Sequence, residues 1–494
     1  MSEEKPTGAT PPALPKKPRS RLPWLVAVIV CFLIPPITFL IWYGSTHTSN
    51  ASAIRALETE ARKHGEPITL AELQAKYPPI PDAQNAAVAL LAVWEEEDPA
   101  FWQAYLDGEA PPSGRHYPSY DPALPYLGAN ARRIPRTGPL PSNSLAAAEA
   151  YLKANADHLA RVHAALQRPH FRFPVKIEDG PDALLPHLSQ LRIEAENFEI
   201  AALLASERGD KPAAIPALHD TARSGQILAE EPIFLSQLVR RACLEITLNS
   251  VEQLLSRQSL TKEELDQLQS LLDQINLRGV ARSALIDERP FSLSVFNPDV
   301  MARALRNNSS EDGTDSPEQT AHRLRIGYSA LQMLGFWDRD RRLMLQTFHG
   351  AIELAGQETP ESLTNFDALF EAASQEARKF PPKIFSAMLL PALQRVPLRF
   401  ATFEARRRAA LVALAVERYR LDHQDRIPDT LEALVPDYLP AIPSDPLDGQ
   451  PIRFSKLGPG YVVYSVGEDR EDDGGTEHVR GKIEHTDITF TVER

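Results

Sequence analysis

Cysteine is nearly absent from this chain: 494 residues hold two, Cys31 and Cys243. One falls in an apolar run near the N-terminus and the other far beyond it. An intrachain disulfide therefore makes no geometric sense, and stability has to come from burial, for which this length is ample. Cys243 sits in a helical apolar pattern and reads as a small core residue rather than a nucleophile. Positive charge is in deficit too. With 66 acidic against 53 basic residues the net charge is −13. No basic patch interleaved with aromatics occurs, which argues against a nucleic-acid partner. Catalytic signatures are missing as well: the chain has no His-Glu-x-x-His, Gly-x-Ser-x-Gly, P-loop or dinucleotide fingerprint. No sustained repeat of the tetratricopeptide kind is found.

What is there begins with one long apolar run. Residues 24–43 carry no charge, and at about 1.5 Å per residue they reach roughly 30 Å, the thickness of a bilayer's hydrocarbon core. The expectation is a transmembrane helix over residues 23–43, kinked at Pro35 and Pro36, with Trp24, Trp42 and Tyr43 at the interfaces. Lys16, Lys17, Arg19 and Arg21 crowd its N-terminal side, whereas Arg55 is the nearest basic residue beyond it. By the positive-inside rule the N-terminus is cytoplasmic and the bulk is exported. A cleaved signal peptide with residues 22–34 as its apolar core is the alternative. Against it, the apolar stretch resumes after the prolines, and the small residues Ala51, Ser52 and Ala53 lie too far on. Residues 1–22 read as a disordered, basic cytoplasmic tail and residues 44–81 as a stem.

Proline numbers 43, well above the usual share of about 5%, and cuts the middle of the chain into helices of modest length. A helix is expected to open at Pro81 and Asp82, with others over 144–166, 183–208, 212–228, 233–256 and 261–275. The last carries Thr261 as cap and Glu264 three residues later. Short connections such as Gly209, Asp210 and Lys211 imply antiparallel helical hairpins, so residues 82–290 form a helical domain suited to binding. Residues 291–382 read as an irregular and helical connector, with 289–299 and 307–320 irregular. In the 183–208 helix, Glu194, Glu196 and Glu199 with Arg192 are expected on a solvated or ion-paired face. His158 and His163, five apart, point to different sides of a helix and make poor joint metal ligands. His219 and Asp220 read as surface.

Residues 383–494 change character. A long helix starts near Ile384, with Pro391 and Pro397 limiting its first turns. Phe400, Phe403, Ala410, Leu411, Leu414 and Leu421 recur near helical spacing, while Arg406, Arg407 and Arg408 fall off that stripe on a wet face. Pro428 and Asp429 then stop one helix and cap a short second one, with Glu432 completing a capping-box pattern. Strands are expected at 451–454, 461–466 and 486–492, forming a small antiparallel sheet over the helix. Between the last two strands, positions 468–473 hold five carboxylates, followed by Gly474 and Gly475. So dense a run is either solvated or shares a cation.

The order of these motifs is informative: Tyr419; Ile427, Pro428, Thr430, Leu431 and Leu434; Asp445, Pro446, Gly449 and Pro451; Ser465, Gly467 and Asp469; Gly474 and Gly475; Asp487 and Ile488. Across residues 404–488 it resembles the globular part of the type II secretion major pseudopilins, the protein G family. Arg470 stands where the family has glycine, Gly474 and Gly475 come one residue late, and Leu447 replaces a tryptophan. The family's leader and continuous N-terminal helix into the module have no counterpart. The resemblance implies a bacterial inner membrane, a periplasmic bulk and a link to secretion. It also implies Ca²⁺ held by the Val466 carbonyl, Asp469 and Asp487, with Asp472 and Asp473 completing a shell of the six to eight oxygens this ion prefers. Zinc on His478, His485 and Asp487 lacks a recognised ligand spacing.

The expected fold is therefore mainly α: one N-terminal transmembrane helix, an exported helical-hairpin domain, and a small C-terminal α+β pseudopilin-like module over residues 383–494. This domain order resembles that of membrane-anchored proteins of planctomycete-type bacteria, a likeness that brings no activity with it. The expected function is a non-enzymatic, bitopic membrane protein whose exported part binds a protein or cell-envelope partner. An exported hydrolase with an active site assembled from distant residues is the alternative.

Overall fold

Prolines set where many helices begin. A computed structural model describes residues 34–109, 120–127, 134–308, 317–333, 335, 337–379, 383–477 and 486–494. Among them lie seventeen α-helices and one three-stranded sheet. The first helices are α1 (Ile34–Lys63), α2 (Leu70–Lys76), α3 (Ala86–Glu97), α4 (Pro99–Asp107), α5 (Ser142–Ala154) and α6 (Ala156–Leu166). Next come α7 (Pro186–Glu207), α8 (Lys211–Gln226), α9 (Phe234–Arg257), α10 (Lys262–Gln274), α11 (Val280–Ser294) and α12 (Pro298–Asn308). The last are α13 (Pro317–Met333), α14 (Asp338–Ala355), α15 (Pro360–Arg378), α16 (Ile384–Leu393) and α17 (Val396–Asp422). Proline occupies the first or second position of α4, α7, α8, α15 and α17, where its missing N–H costs nothing.

The chain divides into two units between Ala53 and Ile54. Of the expected transmembrane segment, residues 23–33 lie outside the described residues. No described helix is long and apolar enough to cross a membrane.

In the larger unit α7, α8 and α9 pack on one another as consecutive hairpins. Asp210 caps α8 by accepting from the Ala213 N–H at 3.2 Å. Thr261 and Glu264 form the expected capping box on α10. The 144–166 region is two helices parted at Asn155. The irregular stretch expected at 289–299 is mostly helical instead. Here α11 runs through Pro290, and burial of Ile286, Phe291, Leu293, Val295 and Phe296 outweighs the hydrogen bond the proline removes. Of the second irregular stretch, residues 309–316 lie outside the described residues, and α13 begins at Pro317.

The C-terminal part folds as a long helix on a small sheet. Strands β1 (Arg453–Leu457), β2 (Gly460–Ser465) and β3 (Ile488–Val492) pair antiparallel in chain order, with Ser455 opposite Val462 and Val463 opposite Phe490. A two-residue turn, Gly458 and Pro459, closes the first hairpin, and Gly458 takes φ +62° there. Asp429 does not cap the turn at Leu431–Leu434; its carboxylate pairs with Lys456 at 2.5 Å.

The arginine-bearing face expected to be wet is interior. α17 is enclosed by α9, α10 and α11 on one side and by β2 and β3 on the other. Arg407 is consequently 7% exposed, and it meets both Glu404 oxygens and the Leu272 carbonyl at 2.8–3.0 Å. One hydrophobic cluster includes Leu254, Phe348, Phe366, Val412, Tyr461 and Phe490, so helices and sheet share a core. A second gathers Trp94, Trp102, Phe173, Phe198 and Leu228.

Candidate functional site

Gly467 fixes the geometry of the acidic loop. A Cβ there would stand 2.1 Å from the Thr486 carbonyl and 3.3 Å from Asp469 Oδ1, so the end of β2 lies directly against the approach to β3. Asp469 and Asp487 thereby share one end of the sheet. Asp487 is buried and accepts from the Gly475 N–H at 2.6 Å and the Asp473 N–H at 3.4 Å. Burial pushes its carboxyl up, those amides oppose the shift, and the charges of Asp472 and Asp473 add to it. Asp473 Oδ2 is buried without a hydrogen-bond partner. Asp469 Oδ1 accepts from the Glu471 N–H at 3.2 Å.

Asp472 goes elsewhere, to Arg453 Nε at 2.9 Å and the Gly474 N–H at 3.0 Å. Val466 is buried, and its carbonyl accepts from Ser465 Oγ at 3.1 Å. Among the described residues no three carboxylate, imidazole or thiol side chains converge as a metal cluster. Any calcium shell would therefore draw on Asp469, Asp473, Asp487 and backbone carbonyls such as Val466. The stranded Asp473 oxygen and the mutual repulsion around Asp487 are what a divalent cation would relieve. His478 and His485 lie outside the described residues.

Asp445, named from the sequence only as part of the motif order, has a bonding role that order did not show. It is 1% exposed and accepts from the Leu447 N–H, Ser465 Oγ and the Val466 N–H at 2.8–3.0 Å. It thus ties its own turn to the end of β2. Its place before Pro446, in an Asp-Pro turn, was the available signal.

The carboxylates of α7 were expected on a solvated or ion-paired face; Glu196 does pair with Arg192 at 3.1 Å, but Glu194 and Glu199 are buried. Glu194 has no exposure. Its Oε1 accepts from Trp94 Nε1 at 3.0 Å and Gln190 Nε2 at 2.8 Å. Its Oε2 accepts from Asn197 Nδ2 and faces His158 Nε2, both at 3.0 Å. On its other side His158 Nδ1 lies 2.6 Å from Glu97 Oε1. Burial alone would depress this imidazole, yet Glu194 and Glu97 raise it to about 10. The resulting ion triad joins α3, α6 and α7, and near neutrality it holds its proton too firmly for acid–base exchange.

Burial and the charge of Glu196 push Glu199 well above the usual carboxylate range, against the pull of Arg406. Asp220 is likewise interior rather than surface and pairs with His163 Nδ1 at 2.7 Å. The cause is common to all three. Helices packed on several sides of α7 and α8 leave no wet face for these carboxylates.

A cleft of about 570 Å³ opens between α3 and residues 171–177. Its walls are mostly apolar, including Tyr77, Ile80, Val88, Leu91, Phe171 and Val175. Arg172 in the wall is held by the Pro78 carbonyl at 2.8 Å and by the Tyr77 ring at 5.3 Å. Glu231 sits 3.0 Å from His187 Nε2 and accepts from Ser236 Oγ at 2.5 Å. His187 itself has no exposure and stacks on Phe173 at 4.2 Å. Asp82 and Glu95 also line the cleft, and their carboxylates have no ion-pair partner among the described residues. An apolar trough with free carboxylates suits an apolar group that carries a cation. No family model matches this chain, and no curated protein or solved structure does either.

Proposed function

We propose that the protein is a single-pass bacterial inner-membrane protein, non-enzymatic, whose exported body binds a protein or cell-envelope partner through the cleft beside α3. The cleft carries this reading. It is large and apolar, its free charges are the carboxylates Asp82 and Glu95, and the groups that chemistry would need are committed elsewhere. The Ser236 hydroxyl is spent on Glu231, and His187, the imidazole next to it, is sealed behind Phe173. A hydrolase would need such a pair within reach of a substrate. The ligand class is an extended apolar segment bearing Lys or Arg.

The C-terminal part is proposed as a pseudopilin-like module used for structure. Its long helix on an antiparallel sheet and its carboxylate-rich loop support that likeness. The enclosure of α17 keeps that helix from assembling into a fibre, so a role in secretion would run through the bound partner. Calcium on Asp469, Asp473 and Asp487 would stiffen the loop.

A photo-crosslinking amino acid at Ile80 or Val88, introduced into the chain in its native membrane, tests the binding reading. One dominant adduct is expected from those positions, lost in a Glu95→Lys background, with none from exposed Leu457. Equal labelling at Leu457, or no adduct from the cleft, would overturn it.

A further inference from the structure

Helix α16 has a surface unlike that of an ordinary solvated helix. Its ten residues carry no charge. The inward side is well packed, with Phe385, Ser386, Leu390 and Leu393 all buried. The outward side is apolar as well: Ile384 is 47% and Met388 61% exposed, and Ala387, Pro391 and Ala392 are exposed between and beyond them. These five recur at helical spacing and make a continuous stripe where a solvated helix would place polar residues.

Basic residues frame the stripe. Arg378, Lys379 and Lys383 precede it, and Arg395 and Arg399 follow it. The acidic neighbours paired with them are Glu376, 2.9 Å from Lys379 and 3.1 Å from Lys383, and Glu468, 2.9 Å from Arg395. Asp340 at the helix start and Asp367 near Arg395 are further carboxylates, while Arg378 and Arg399 have no ion-pair partner among the described residues. Five cations against four carboxylates leave the rim positive on a chain whose net charge is −13.

The position of the helix is equally telling. Its start is held by Asp340, which accepts from the Phe385 and Ser386 N–H groups at 2.8 and 2.9 Å. The next residue, Arg341, donates to Glu58 Oε1 at 2.7 Å. α16 therefore begins beside the point where the chain enters the large unit at Ile54.

We infer that the outward stripe of α16 lies in the headgroup layer of the membrane that anchors the chain, held by anionic lipid. This rests on the membrane-tethered reading above. An apolar face ringed by Lys and Arg is the chemistry of an interfacial helix. A second copy of the chain fits poorly, because two such faces would oppose like charges. Five side chains also cover much less than the ~800 Å² per partner of a stable dimer.

The test uses the full chain in vesicles, with Cys31→Ser and Met388→Cys labelled by an environment-sensitive fluorophore; Cys243 is fully buried and stays unlabelled. In vesicles of phosphatidylglycerol and phosphatidylethanolamine the emission should shift to the blue and be quenched several-fold by headgroup-proximal spin-labelled lipid. The shift should be smaller in phosphatidylcholine, and absent when Ile384→Glu is added without change in melting temperature. A water-like label in a chain that resists carbonate extraction would overturn the inference alone. Release by carbonate would overturn the tethered reading and this inference with it. A shift that persists in detergent and grows with protein concentration would assign the face to a second copy instead.

Discussion

The imidazole of His158 keeps its proton because two carboxylates flank it, against a burial that would otherwise remove it. Its ordinary value of 6.5 is raised to about 10 in the fold. The stability it contributes is therefore fully present below pH 6.5 and is lost as pH rises through about 10. Replacing it by His158→Gln strands Glu194 in the interior and should cost roughly 3 kcal/mol at the acidic end. Thermal melts of parent and variant across pH check this: the gap between them should be widest below pH 6.5 and close towards pH 10. A constant gap would refute the ion triad. None of this could be read along the chain. Glu194 looks like one of several helix carboxylates until Trp94, His158, Gln190 and Asn197 are brought around it.

Among the elements, those whose ends are fixed locally were the legible ones. Thr261 and Glu264 satisfy each other's backbone within one turn, and spacing alone reveals them; Thr69 and Glu72 do the same at the start of α2, in a stretch read from the sequence only as a stem. The start of α16 is fixed from outside, by Asp340 on α14. Asp340→Ala would leave two buried amides without an acceptor and should lower stability by about 2 kcal/mol, read as a fall in the denaturation midpoint. Thr261→Ala should cost about 1 kcal/mol, since its amides are closer to solvent. Equal losses would mean that the cross-element cap has no special weight. Pro290 shows the converse limit. Local chemistry marks it as a break, and packing on both sides carries α11 through it.

At the scale of the whole molecule, sheet and helices stand or fall together. Arg406 reaches Glu245 at 3.0 Å and Glu252 at 3.1 Å on α9, while Glu252 also accepts from the Thr491 N–H of β3 at 2.5 Å. With a shared core behind that seam, residues 54–494 should unfold in one calorimetric transition. Arg406→Met should lower the stability behind that single transition by roughly 2 kcal/mol, because Glu252 and Glu245 each lose one cation while keeping Arg136 and Arg241. A separate early transition for the C-terminal part would contradict the common core. The same melts test the acidic loop. Millimolar calcium should raise the one transition by a few degrees, and Asp487→Asn should abolish the rise, as ligand linkage to the folded state requires.

Sequence by itself determined the mainly helical class, the limits of α7 to α10, the three strands in their order and the placing of five carboxylates between two of them. These features follow from spacing and from contacts within a turn or a hairpin. Tertiary structure decided which charges are interior, that α17 is packed between helices and sheet along most of its length, that a cleft forms beside α3, and that an apolar stripe is left outward on α16. Each of these depends on groups far apart in the chain. The free energy of a buried charge or an exposed apolar face is set by what surrounds it, which periodicity along one segment does not encode.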